Sequence, residues 1–339
     1  MGVSSEGNFL PVKIQSNPTR YPSLPSFALL LRQAGLAQGS NIFALLATDA
    51  IISPRGQCRF SQKGGEMKRQ ILVPLDSSAV GREVIHLADQ WAHLFDAELV
   101  FMQVNPVLRD VADQDLLESV ILSERVTAPY RAIASYGNPS QEIIEQEKVV
   151  DPWIVMMAAH SHSMMARILL GSNTDYVVNQ CKSNLFVYKR SLEALKDLIL
   201  VPVDYSKVNS KVIALADELG QKFGRRLHFV HVFSLPEFAH YNMEHGWQWD
   251  QIEIDRQHQE EEEKLNHFIA EQKVKTGYKT ELRIGKPYEQ VLAVQQKLNA
   301  KLIIMAAHEH TRVERFLVGS NTKYLLHHAN CSVLVYKDR

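Results

Sequence analysis

The stretch IVMMAAHSHSMMARILLGSNTDYVV, residues 154–178, returns later in the chain as LIIMAAHEHTRVERFLVGSNTKYLL, residues 302–326. The two stretches align without a gap at a spacing of 148 residues, and twelve of the twenty-five positions are identical. Self-similarity at one long spacing indicates two copies of a structural unit. Each copy begins with a short apolar run, which is typical of a strand buried on both faces of a parallel sheet.

The repeat extends outward from these stretches. Upstream, the turn at 137–139 (Gly-Asn-Pro) matches the turn at 285–287 (Gly-Lys-Pro) at the same spacing. Further back, ILVPLDSS (71–78) matches ILVPVDYS (199–206) at a spacing of 128 residues, so the second copy has twenty additional residues. We therefore expect two domains, residues 67–190 and 191–339.

Apolar runs alternate with amphipathic segments in each copy. In the first copy the runs at 71–75, 98–104, 130–136, 154–158 and 185–188 predict strands. Val84, Ala88, Trp91 and Phe95 recur every three or four residues, which predicts an amphipathic helix. Strands that alternate with helices favour an α/β fold, here two tandem open, doubly wound parallel sheets.

The composition excludes several classes of function. The chain has 339 residues, 45% of them hydrophobic and 22% charged, and its net charge is -1. A near-neutral chain offers no basic patch, so we expect no nucleic-acid or membrane partner. Cys58, Cys181 and Cys331 have no CxxC spacing, and we expect a cytoplasmic, reducing location.

The order of these signatures resembles the universal stress protein family. A strand ending in V-P-x-D-x-S is followed by a G-x-P turn and then by L-x-G-S, at 169–172 and again at 317–320. The resemblance covers nearly all of residues 67–339. It implies five-stranded sheets with helices on both faces, and pairing through the last strands, 185–188 and 333–336. The two units would then form an intramolecular pseudo-dimer, and a homodimer is also open.

The resemblance also implies an adenine-nucleotide site, for ATP or AMP, in each unit. Nucleotide-binding members carry G-x-x-G, nine residues and then G-S/T after the fourth strand. The final Gly-Ser is present twice here, whereas Ala158, Ser161, Ala306 and Glu309 replace the earlier glycines. The implied contacts are Pro74, Asp76, Val104, Met157, Ala158, Ser161, Gly171, Ser172, Asn173 and Thr174 in the first unit, and Pro202, Asp204, Val232, Met305, Ala306, Gly319, Ser320, Asn321 and Thr322 in the second.

Electrostatics makes the second implied site the weaker one. The free N–H groups at the start of the helix after each Gly-Ser favour an anion. Each replaced glycine costs on the order of 1 kcal/mol where the backbone must approach a phosphate. A Glu309 carboxylate at ~5 Å would repel a phosphate by a further ~3 kcal/mol at an effective dielectric near 20.

Two residue patterns have competing interpretations. Asp76 and Asp204 could bind a ribose or could cap the helices that follow them. The pairs His160-x-His162 and His308-x-His310 could share a metal ion, or could be loop residues facing solvent or phosphate. Because the spacing fixes no third ligand, we assign no metal.

The sequence leaves three functions open. The first is a nucleotide-independent stress-response interaction module with an unknown protein partner, and the second is an adenine-nucleotide sensor acting mainly through the first unit. The third is a slow ATP hydrolase, which the sequence disfavours because it has no P-loop lysine, no G-x-S-x-G elbow and no recognisable acid–base pair.

Residues 1–66 lack the repeat. They have scattered prolines and no sustained periodicity, which indicates disorder. Residues 63–67, Lys-Gly-Gly-Glu-Met, can be encoded by AAA GGA GGA GAA ATG, which resembles a bacterial ribosome-binding site before a start codon.

We therefore predict that the natural product begins at Met67, the alternative being a real, unstructured leader. Mass spectrometry of the native N-terminus distinguishes the two. An abundant peptide from residues 10–60 would show that the leader is translated.

Overall fold

The computed structural model describes residues 50–52, 58–60, 68–76, 79–105, 112–159, 172–189, 198–233, 251–307 and 318–338. The chain divides into two units, Met1–Met67 and Lys68–Arg339. In the first unit, strand β1 (Ala50–Ile52) pairs antiparallel with β2 (Cys58–Phe60). The rest of the predicted leader lies outside the described residues.

The unit Lys68–Arg339 has two halves with the same order of elements. The first half contains β3 (Gln70–Leu75), α1 (Ala79–Phe95), β4 (Glu98–Asn105), α2 (Ala112–Ser123), β5 (Tyr130–Tyr136), α3 (Pro139–Val150), β6 (Ile154–Ala158), α4 (Ser172–Gln180) and β7 (Asn184–Tyr188). The second half contains β8 (Leu198–Pro202), α5 (Lys207–Phe223), β9 (Arg226–Phe233), α6 (Gln251–Glu271), β10 (Tyr278–Ile284), α7 (Pro287–Leu298), β11 (Leu302–Ala306), α8 (Ser320–His328) and β12 (Ser332–Tyr336).

The strands of both halves form one ten-stranded sheet in the order β10-β9-β8-β11-β12-β7-β6-β3-β4-β5. Within each half all neighbouring strands are parallel. The predicted α/β fold class is therefore confirmed, and two five-stranded parallel sheets are continuous with one another. Strand order reverses between β3 and β6 in the first half, and between β8 and β11 in the second.

Helices cover both faces of the sheet. Helices α1, α2, α5 and α6 pack on one face, where Trp91, Leu117, Leu219 and Leu265 belong to one buried cluster. Helices α3, α4, α7 and α8 pack on the other face, around a second cluster. The repeated G-x-P turn starts α3 and α7, because its glycine adopts a positive φ (134° at Gly137) and its proline supplies the first helical residue. Among the described residues, no helix is both long enough and apolar enough to span a membrane.

The halves meet where β7 and β12 pair antiparallel. Val187 is opposite Val333, Phe186 opposite Leu334 and Leu185 opposite Val335, and the side chains of these pairs are buried. The pairing removes the edge that each five-stranded sheet would otherwise expose at its last strand.

Two lysines cross this seam in opposite directions. Lys189 donates from Nζ to the carbonyls of Leu326 and Ala329, the latter at 3.0 Å. Lys337 donates from Nζ to the carbonyl of Val178 at 3.0 Å. The lysines are 148 residues apart, as are Val178 and Leu326, so the contacts follow the repeat. Each ammonium meets the free carbonyls at the end of a helix from the other half, where the helix dipole favours positive charge.

On the other face the contact between halves is aromatic. The ring of Trp91 on α1 lies 5.3 Å from that of Phe223 on α5 and 5.2 Å from that of Phe186. The guanidinium carbon of Arg69 lies 4.5 Å from the ring centre of Trp153. The same guanidinium forms a 2.6 Å ion pair with the carboxylate of Glu218 on α5. The helices of the two halves thus share one core as well as one sheet.

The buried lysine at the seam makes stability depend on pH. Burial lowers the pKa of Lys189 from 10.5 to about 8, against a smaller opposing effect of the Cys331 thiol. Between these values the unfolded chain holds the proton more tightly than the folded chain, so stability rises with pH in this window.

We predict that the wild type gains stability relative to Lys189→Met by up to about 1.4 kcal/mol per pH unit above pH 8. Urea unfolding near pH 7, 8 and 9 measures this difference, and Lys182→Met, at an exposed position, is the control. A pH-independent difference would show that Lys189 titrates normally.

Candidate functional site

The carboxyl ends of the central strands form the candidate site in each half. An open parallel sheet binds ligands at the point where its strand order reverses, because the crossovers leave a crevice there. In this chain that point lies beyond β3 and β6, and again beyond β8 and β11.

In the first half, the described candidate residues all lie at this edge. Pro74 lies near the end of β3, two residues before Asp76, and Val104 lies near the end of β4. Met157 and Ala158 are buried at the end of β6. Ser172 and Asn173 are exposed in the first turn of α4, whereas Thr174 is fully buried. Ser161 and Gly171, with His160 and His162, lie outside the described residues.

Thr174 differs from its counterpart in the second half. The hydroxyl of Thr322 donates to the carbonyl of Ala306 at 3.2 Å and so holds the start of α8 against the end of β11. The buried hydroxyl of Thr174 has no hydrogen-bond partner within the described part of the chain. The first half therefore has an unsatisfied polar group at the start of α4.

In the second half, Pro202, Val232, Met305 and Ala306 occupy the corresponding strand ends. Gly319 precedes α8 with a φ of -58°, so the backbone there does not require glycine. Ser320 is exposed and Asn321 half-buried in the first turn of α8. Glu309, His308 and His310 lie outside the described residues, and the repulsion expected of Glu309 stays a prediction.

Asp204 holds the turn that leads into α5, whose N-cap residue is Ser206. Its carboxylate accepts a 2.8 Å hydrogen bond from the backbone N–H of Ser206 and another from the side-chain amide of Asn209. Asn209 is buried and also donates to the hydroxyl of Ser206 at 3.0 Å. The described contacts of Asp204 therefore order the turn just before α5, beside the N-cap residue rather than at it. In the first half Gly81 stands at the position of Asn209 and offers no such amide.

A cluster that the sequence did not single out lies beside Asp204. The Tyr205 hydroxyl donates to Glu261 at 2.9 Å, and its ring lies 4.5 Å from the ring of His231. Lys264 places its ammonium 4.1 Å from the Tyr205 ring centre. The sequence contains one indication of this cluster. Tyr205 aligns with Ser77, although the residues around the two positions are otherwise similar.

Metal binding finds no support among the residues with described positions. No group of three His, Cys, Asp or Glu side chains there lies close enough to hold a metal ion. Cys181 and Cys331 are buried, and neither forms a disulfide. A shallow depression beside Asp217, Lys222 and Gln272 lies toward the carboxyl end of α5, at the opposite edge of the sheet, and contains none of the candidate residues.

Two repeated doubly wound units, each with one point at which its strand order reverses, define a tandem α/β protein. The model of the universal stress protein family matches residues 67–189 and 197–337, so the chain belongs to that family. The universal stress protein MJ0531 of Methanocaldococcus jannaschii is 28% identical over 148 residues, 44% of this chain and 86% of its own length.

Solved structures show the same fold along most of the chain. A universal stress protein from Archaeoglobus fulgidus is 20% identical and has a TM-score of 0.58, covering 79% of this chain and 98% of its own. A putative universal stress protein from Pseudomonas aeruginosa is 15% identical, with a TM-score of 0.61, covering 80% of this chain and 93% of its own.

The contacts of Asp204 lead to a stability prediction. We expect Asp204→Ala to destabilise the protein by about 1–3 kcal/mol, because the buried amide of Asn209 loses its carboxylate acceptor and the turn before α5 loses the bond from the Ser206 N–H. Asp204→Asn keeps an acceptor oxygen and should cost clearly less. Urea unfolding measures both variants. An Asp204→Ala variant as stable as the wild type would contradict this structural role of Asp204.

Proposed function

We propose that this universal stress protein acts in the stress response as an interaction module, whose two halves form an intramolecular pseudo-dimer that needs no nucleotide. The observation that carries the proposal is the pairing of β7 with β12. A partner copy would otherwise have to satisfy these two strands, and the reciprocal bonds of Lys189 and Lys337 reinforce their pairing.

A repeated aromatic surface supports a protein partner. Tyr176 on α4 and Tyr324 on α8 are 148 residues apart and are 41% and 38% exposed. The ring centres of Tyr324 and Tyr288 lie 4.2 Å apart. On the same helix as Tyr324, the His327 ring nitrogen lies 3.6 Å from the carboxylate of Asp175 in the other half. Exposed tyrosines combine apolar area with a polar hydroxyl and are enriched at interfaces. We further propose a cytoplasmic location.

An adenine-nucleotide sensor using the first half is the second candidate. The observation that favours it is the buried, unsatisfied hydroxyl of Thr174 at the start of α4. A phosphate there would meet this hydroxyl together with the free N–H groups of the first turn. ATP or AMP would then bind near Asp76 and Val104, while hydrolysis remains the least supported possibility.

One preparation tests these candidates. The interaction module is expected to purify without nucleotide, to run as a monomer in size-exclusion chromatography with light scattering, and to show a melting temperature unchanged by millimolar ATP or AMP. ATP or AMP released on denaturation would favour the sensor instead.

Two controls sharpen the result. Asp76→Ala should abolish any stabilisation by nucleotide if the first half is the sensor, whereas steady phosphate release that disappears in Asp76→Ala would indicate a hydrolase. A dimer in which the last strands pair between chains would contradict the pseudo-dimer, because β7 and β12 of one chain would then not pair with each other.

A further inference from the structure

The second half differs from the first at the strand ends that border its crevice. Tyr205 and His231 stand where the first half has Ser77 and Gln103, at the spacing of 128 residues. Helices α2 and α6 end 148 residues apart, at Ser123 and Glu271, so α6 is longer at its beginning. That beginning follows a strand and therefore lies at the carboxyl edge of the sheet.

Tyr205 is held on several sides. Its hydroxyl donates to the Glu261 carboxylate at 2.9 Å, and its ring stacks against His231 and, edge-on at 5.6 Å, against Phe268. Burial raises the pKa of Tyr205, and the hydrogen bond and charge of Glu261 raise it further. The phenol is therefore a packed, protonated donor rather than a solvent-exposed side chain.

His231 fastens the two strand ends to each other. Its Nδ1 lies 2.8 Å from the carbonyl of Val203, which makes this nitrogen the donor. Its other ring nitrogen lies 4.0 Å from Glu261. The His231 side chain thus connects the ends of β8 and β9. A ligand that enters the second crevice would have to pass this position.

At the matching positions the first half keeps a carboxylate, Asp113 for Glu261, but has none of the other side chains. Gln103 replaces His231, Leu116 replaces Lys264 and Val120 replaces Phe268. Leu116 is 56% exposed, whereas Lys264 places its ammonium over the Tyr205 ring. Several differences between the halves therefore fall on residues that would cover a ligand.

We propose that the Tyr205–His231–Glu261 cluster closes the second crevice and that a nucleotide can enter only the first. This proposal rests on the nucleotide-sensor candidate above. It makes the chain an asymmetric pair, with at most one ligand site per chain and a second crevice covered by its own partly buried side chains.

Equilibrium dialysis against ATP tests the closure. The variant Tyr205→Ser/His231→Gln, which carries the first-half residues, should bind one more equivalent of ATP than the wild type, and this equivalent should survive Asp76→Ala. Any ATP bound by the wild type should disappear in Asp76→Ala. A wild type that binds nothing, together with a double variant that binds one equivalent, would remove the sensor candidate and support the closure.

Two results would overturn the proposal. One is a double variant that binds no more ATP than the wild type, and the other is wild-type binding that is lost in Asp204→Ala but not in Asp76→Ala. Tyrosine nitration of the wild type, measured by mass spectrometry, tests the closure without relying on a variant that must fold. Tyr205 should react at least tenfold more slowly than Tyr176, and equal rates would show that the cluster does not close.

Discussion

A five-stranded parallel sheet has two edges, and each edge strand exposes a row of N–H and C=O groups that must find partners. The antiparallel pairing of β7 with β12 satisfies one edge of each half at once. It also fixes where the helices lie, because α1 and α5 must then meet on one face. The aromatic contact of Trp91 with Phe223 and the two crossing lysines follow from that single pairing.

The residue that follows the last strand is a lysine in both halves. Lys189 and Lys337 keep equivalent contacts, since both must meet the end of a helix in the other half. Away from the seam the second half has gained charge: His228 and Glu281 form a 2.8 Å pair where the first half has Val100 and Ile133. Burial lowers the pKa of His228 despite this pair. Each half has therefore diverged where the other does not constrain it.

The sequence predicted the strands well because buried parallel strands are short apolar runs, and those runs repeat. Strand β5 was predicted with the bounds that it has, and β6 likewise. The role of Asp204 could not be predicted, because a carboxylate after a strand suits a cap and a ligand equally. The Tyr205 cluster depends on Glu261, fifty-six residues away, and only the folded chain brings the two together.

Three consecutive residues in the second half are each held by a different element, which makes their arrangement hard to open. Val203 is bound by His231 of β9, Asp204 by Asn209 of α5 and Tyr205 by Glu261 of α6. At about 1 kcal/mol net for each hydrogen bond, opening all three costs roughly 3 kcal/mol. A ligand that needs the open form would lose roughly a hundredfold in apparent affinity. In the first half Gly81 and Gln103 replace Asn209 and His231, so two of these three bonds cannot form in the same way.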